Sequence, residues 1–162
     1  MDRETLRPPG EIMDGFKRDN FQRRYPGSAF PVVDAMEPSV CDEVRQQVAM
    51  RLGGSPVRTG AALVREIAED ATPIPGVDAE NDDFDLFRVL DSLALQYSEH
   101  VLLNWERFDR LDRIRLRDLR EYFSDIWYPG SDDLDVIDLD AGWILSIRHD
   151  GGVLVLRLPH DT

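Results

Sequence analysis

The stretch LRDLREYFSDIWYPGSDDLDVIDLDAGWILSIRHDGGVLVLRL, residues 116–158, decides the fold. Leu116, Leu119, Phe123, Ile126 and Trp127 recur at steps of three and four, which gathers them on one side of a helix, while Arg117, Asp118, Arg120 and Glu121 fall on the other. Pro129 disfavours helical geometry in the residue before it and Gly130 follows, so the helix ends by Trp127 or Tyr128 and the chain turns over residues 130–133. Three runs with a two-residue period come next: Leu134 and Val136 about Asp135, then Trp143, Leu145 and Ile147, then Leu154, Leu156 and Leu158. A two-residue loop at Asp150-Gly151 would set Ile147 opposite Leu154, Leu145 opposite Leu156 and Trp143 opposite Leu158. All the large apolar side chains then share one face, and a one-residue slip would separate them. The expectation is an antiparallel meander with the helix from Leu116 packed on its apolar face.

Upstream of that stretch, the chain reads as cover. Leu86, Leu90 and Leu93 suit a helix running to about Gln96, and Val101, Leu103 and Trp105 alternate with their neighbours, which predicts a further strand from about His100 to Trp105. Thr59 is placed to cap a helix with Leu63, Val64, Ile67 and Ala68 facing inward and Pro73 just beyond its end. Ser39 and Asp42 resemble a capping box opening another, continued by Val44, Val48 and Leu52 and stopped at Gly53-Gly54. Arg110, Arg113, Arg117 and Arg120 repeat at helical spacing and would form a basic ridge if helix began early. Residues 1–38 hold eight Pro and Gly breakers and read as an irregular arm; residues 39–162 read as a single domain. The fold class expected is α+β, with amino-terminal helices followed by an antiparallel sheet of three or four strands.

Composition narrows the function. The formal charge is −13; residues 1–25 carry six bases against five acids, which leaves −14 on the rest. So acidic a body argues against binding nucleic-acid phosphates or an anionic membrane, and makes a basic protein the natural partner. Lys17 is the only lysine. Cys41 is the only cysteine, so no internal disulfide can form, and no stretch has the length of a membrane span. With no apolar core of a secretory signal at the start of the chain, a soluble cytoplasmic protein is expected.

The polar residues concentrate beside the organising helix. Asp125, Asp132, Asp133, Asp135, Asp138 and Asp140 lie within sixteen residues with no base among them. Carboxylates so crowded must be exposed, paired with arginine, or on a cation. Asp135 is offset by one from Leu134 and Val136 and so faces away from the core, on the side of Asp133. With Asp132, Asp138 and His149, and with Trp127 and Tyr128 as apolar anchors, these residues read as a surface for gripping the arginine or lysine of a partner. Two other classes are open. Asp132, Asp133 and Asp135, with His149, would hold a divalent ion in a metal-dependent hydrolase, although the chain lacks HExxH and any Asp-His pair at ligand spacing. A homo-oligomeric subunit would use Leu102 or Ile144, read as exposed on the sheet's second face. The acids from Asp78 to Asp85 fail as a calcium loop, since Asp83 and Val89 stand where glycine and glutamate are needed. No GxSxG, phosphate-cradling glycine loop or CxxC occurs, so no catalytic residue, metal or cofactor is assigned.

The order of Trp127-Tyr128-Pro129-Gly130-Ser131-Asp132-Asp133, then Trp143-Ile144-Leu145, then His149-Asp150-Gly151 is similar to that of small uncharacterised bacterial α+β proteins, and loosely resembles immunity proteins that neutralise co-encoded toxins. The resemblance covers residues 101–158. It implies inhibition of a basic toxin by binding, through an acidic surface, and carries over no catalytic residue.

Overall fold

The computed structural model describes residues 15–159. In chain order, the elements are α1 (Gly15–Arg24), β1 (Val33–Ala35), α2 (Pro38–Arg51), α3 (Gly60–Asp70), β2 (Thr72–Asp78), α4 (Leu86–Ser92), β3 (His100–Asn104), β4 (Leu111–Arg115), α5 (Leu116–Glu121), α6 (Phe123–Ile126), β5 (Leu134–Asp138), β6 (Trp143–Ile147) and β7 (Gly152–Arg157). The class is α+β and the sheet is antiparallel, but it has seven strands, in the order β1-β4-β3-β5-β6-β7-β2, where the sequence predicted three or four. The predicted meander is its β5-β6-β7 portion, and β3 falls where alternation put it.

Each missed strand has a local reason. β2 contains Pro73, Pro75 and Gly76, which read as loop; an edge strand tolerates proline because one side of it needs no ladder partner. β4 was masked by the helical spacing of arginines, yet Leu111 and Ile114 are buried while Arg113 and Arg115 point out. β1 has three residues and ends the other edge of the sheet. Short or proline-bearing edges present little free ladder to another chain.

The sheet is covered on both faces, which corrects the expectation of one apolar face. Trp143, Leu145, Ile147, Leu134 and Val136 pack under α4, α5 and α6, which contribute Leu86, Leu90, Leu116, Leu119, Phe123 and Ile126. On the other face, Ile137, Ile144, Leu102 and Leu156 meet α2 and α3 through Val44, Val48, Leu63 and Ile67. Ile144 and Leu102, read as possible contacts between copies, are therefore under helices. Every residue of β5 and of β6 is buried, as expected of a strand with cover on each side.

The β6-β7 register differs by one residue from the expectation. Ile147 pairs with Val153, Leu145 with Val155 and Trp143 with Arg157. The loop has three residues, closed by Arg148 N–H to Gly152 O (2.8 Å) and Gly151 N–H to Arg148 O (2.8 Å), with Gly151 left-handed at φ +93°. The left-handed backbone favours glycine there, and a Cβ would also lie 2.1 Å from Asp78 Oδ1, so the Asp78 side chain would have to shift.

The organising helix is broken at Tyr122 (φ −106°, ψ 25°) into α5 and α6, and its predicted apolar residues are all buried. The helix expected to reach Gln96 stops at Ser92, with Ala94 left-handed just beyond. Thr59 caps α3 by accepting from Ala62 N–H (3.2 Å). α2 begins two residues earlier than a Ser39 cap would require, with Glu37 at the N-cap and Pro38 after it, so the Ser39–Asp42 capping box does not form. Within the stretch read as an irregular arm, residues 15–24 form α1, seated by fully buried Phe21 among the rings of Tyr25, Phe30 and Tyr122 at 4.9–5.4 Å. Residues 1–14, also in that arm, lie outside the described residues.

Candidate functional site

One end of the sheet collects four connections: residues 105–110, 127–133, 148–151 and 79–85. The candidate site is built there, from three arrangements that share Asp133 or its neighbours.

The first is a polar row across the sheet. Asn104 of β3 stands opposite Asp135 of β5, and Asp135 stands opposite Ser146 of β6. All three are buried on the α2/α3 side. Asp135 accepts from Ser146 Oγ–H at 2.5 Å and from Asn104 Nδ2 at 3.4 Å. Asn104 Oδ1 in turn accepts from Phe108 N–H (3.0 Å). Asp135 faces away from the α5/α6 core as predicted, but α3 and the 105–110 loop wall it in, so it is not on the surface. Burial pushes its carboxyl above the usual aspartate value; the Ser146 hydroxyl, the Arg148 charge and Asn104 pull the other way and do not offset it. The row opens into a cleft of about 440 Å³ between α3 and the strand ends.

The second is a cage around a lysine. Lys17 of α1 donates to Asp132 Oδ2 at 2.6 Å and to Ile126 O at 2.8 Å, with its ammonium 4.3 Å from the Trp105 ring centroid and 5.0 Å from that of Tyr128. Only 2% of Lys17 is exposed. A carboxylate, a carbonyl and two aromatic faces supply what a desolvated ammonium needs. Asp132 is further held by Tyr128 N–H (2.8 Å). Its role is to seat α1.

The third is an acidic rim. Asp133 accepts from both His149 N–H (2.9 Å) and His149 Nδ1 (3.0 Å), and both side chains are about half exposed. Burial pushes the Asp133 carboxyl up, but the His149 backbone N–H and ring outweigh it and hold the group below the usual value. Beside them is Asp150, and Gly151 is in contact with Asp78 and Glu80, joined by Ala79 N–H to Gly151 O (2.8 Å). Asp82 and Asp83 continue the exposed strip. Two segments seventy residues apart thus make one surface. Among the described residues no arginine or lysine lies within ion-pair distance of Asp78, Glu80, Asp82, Asp83 or Asp150.

The predicted surface residues are therefore divided. Asp133 and His149 are on the rim, and Tyr128, with its hydroxyl accepting from Asn20 Nδ2 (3.1 Å), is half-buried beside the lysine cage. Trp127 is no exposed anchor: it is buried, stacked on Phe123, with its indole N–H on Asp132 O (2.9 Å). Asp138 lies at the opposite end of the sheet, buried, accepting from Ser98 N–H (2.7 Å), Ser98 Oγ (2.8 Å) and Ala141 N–H (3.0 Å). Asp125 is also buried; desolvation raises its carboxyl, and Arg24 at 3.5 Å is its ion partner. Asp132, Asp133 and Asp135 do not converge on a point, and among the described residues no group of three His, Cys, Asp or Glu is arranged to hold a metal ion. Cys41 is on the buried face of α2, and burial pushes its thiol up, away from the reactive thiolate. No described helix is long and apolar enough to cross a membrane.

Sequence reasoning missed Asn104, Ser146, Lys17, Asp78 and Glu80. The first two are visible only once cross-strand register is known, and Lys17 acts across more than a hundred residues. Asp78 and Glu80 were legible as exposed acids but not as neighbours of the β6-β7 hairpin. No protein-family model, curated protein or solved structure matches this chain.

Proposed function

We propose that this chain is a non-enzymatic binding module that captures a basic protein, in the manner of an inhibitor or immunity protein, and that the contact is the acidic rim at the β6-β7 hairpin. The observation that carries the reading is the persistence of exposed carboxylates there after the interior is accounted for. Asp125, Asp132 and Asp85 each have an ion-pair partner within the chain, whereas Asp78, Glu80, Asp82, Asp83 and Asp150 have none among the described residues. Carboxylates on one rigid edge raise the local concentration of a cationic partner and accelerate its encounter. The body's charge of −14 beyond residue 25 adds a long-range field of the same sign.

The test is titration of a nona-arginine peptide by fluorescence anisotropy. Wild-type protein should bind at low salt, with an affinity that falls steeply as ionic strength rises. The triple variant Glu80→Lys, Asp82→Lys, Asp150→Lys should bind at least about tenfold more weakly, equivalent to about 1.4 kcal/mol, with an almost unchanged melting temperature. Equal affinity in the triple variant would remove the rim from the argument.

A further inference from the structure

We propose that the cleft above Asp135 is a pocket for one guanidinium or alkylammonium group, the tip of an arginine or lysine side chain presented by the partner. This rests on the reading that the partner is basic, and specifies where one of its side chains goes. Four observations lead to it.

First, Asp135 lines the cleft while being only 6% exposed. Second, its hydrogen-bond shell is incomplete. A carboxylate offers about four acceptor sites, and Asp135 uses one at 2.5 Å to Ser146 and one at a long 3.4 Å to Asn104. Third, among the described residues no arginine or lysine comes within ion-pair distance of it, although an unpaired buried charge is costly. Fourth, the walls suit a cation on an apolar stem. Val64 and Trp105 provide apolar sides, and Asp133 connects the cleft to the rim.

The remaining charged groups of the lining are Glu106, Arg107 and Asp109 from the β3-β4 loop and Arg148 at the end of β6. Glu106 is drawn to Arg110 (3.5 Å), and Asp109 accepts from Arg107 N–H (3.3 Å). Of the two arginines in the lining, Arg148 is the one whose charge acts on Asp135, and among the described residues the two form no ion pair. A guanidinium entering from the rim would complete the shell bidentately, and a bidentate pair is the strongest arrangement a carboxylate can make with a side chain. It would also favour the ionised form that burial opposes, so binding tightens as pH rises through the range in which Asp135 ionises.

The probe is methylguanidinium chloride, with methylurea as the uncharged molecule of the same shape, followed by amide, indole and side-chain amide signals in proton-nitrogen NMR spectra. Methylguanidinium should bind in the millimolar range, as befits so small a ligand, and shift the signals of Asn104, Trp105 and Ser146 together. Asp135→Asn should weaken it at least about tenfold, and Arg148→Ala should strengthen it severalfold. Binding of methylurea to the same residues with equal affinity would overturn the proposal, as would undiminished binding by Asp135→Asn. If Asp135→Asn does not fold, Arg148→Ala decides alone, and an unchanged affinity there overturns the pocket. The two readings fail separately. Loss of nona-arginine binding in the rim variant with methylguanidinium binding intact supports both, whereas methylguanidinium binding beside rim-independent peptide binding removes only the rim.

Discussion

Asp135 and Asp138 stand three residues apart on the same strand, both buried, and the protein treats them in opposite ways. Asp138, at the β5-β6 turn, receives three donors within 3.0 Å from Ser98 and Ala141. Asp135, at the cleft, receives one short and one long. A buried carboxylate with a full set of donors serves the fold, because those donors would be orphaned without it. One with spare acceptor sites and an opening above it has capacity left for a ligand. Asp132 belongs with Asp138 in this respect, since Lys17 and Tyr128 N–H engage it from within the chain.

The comparison can be broken in three places. The largest effect is expected from Asp138→Ala, which strands two backbone N–H groups and a hydroxyl; urea unfolding should show a loss of about 3 kcal/mol. A loss under about 1 kcal/mol would put Asp138 in the same class as Asp135. Next is Lys17→Met, which keeps the stem but removes the ammonium from beside Asp132. Breaking a fully buried pair costs more, but Asp132 keeps some contact with water, so about 2 kcal/mol is expected, together with faster hydrogen exchange confined to α1. Exchange that rises uniformly across the sheet would mean that the cage supports the whole fold.

The smallest effect is Asp135→Asn, and its sign depends on pH. Because burial raises this carboxyl in the folded state, the folded protein holds the proton that the unfolded chain gives up near pH 3.8. Its contribution is fully present below that value and is lost as pH rises through the folded value. The variant lacks this slope. It should lie within about 1 kcal/mol of wild type in acid and gain on it toward neutral pH, measured by thermal unfolding at several pH values. A constant difference across pH would mean that Asp135 is not strained in the folded state.

The architecture was legible wherever periodicity had a single meaning. Leu116, Leu119, Phe123 and Ile126 marked a helix face, and all are buried. Val101 and Leu103 marked a strand. The register of β7 was lost because its two faces are equally apolar: Val153 and Val155 go to one core, Leu156 and Leu158 to the other, so alternation carries no phase. The same unbroken run, Val153 to Leu156, is what a strand covered on both sides looks like, and it should have argued for a second helical layer. In the site, Asp133 and His149 could be placed at a turn from local sequence. The polar row could not, because Asn104 and Ser146 are ordinary residues until pairing sets them on either side of Asp135.

The seating of Lys17 has a chemical consequence. Every other side-chain cation of this protein is a guanidinium or an imidazole, so a reagent that acylates or cross-links side-chain amines finds one target, and that target is enclosed. Its labelling rate would count the moments when the amino-terminal helix lifts away, making the chain's single lysine a built-in clock for that motion.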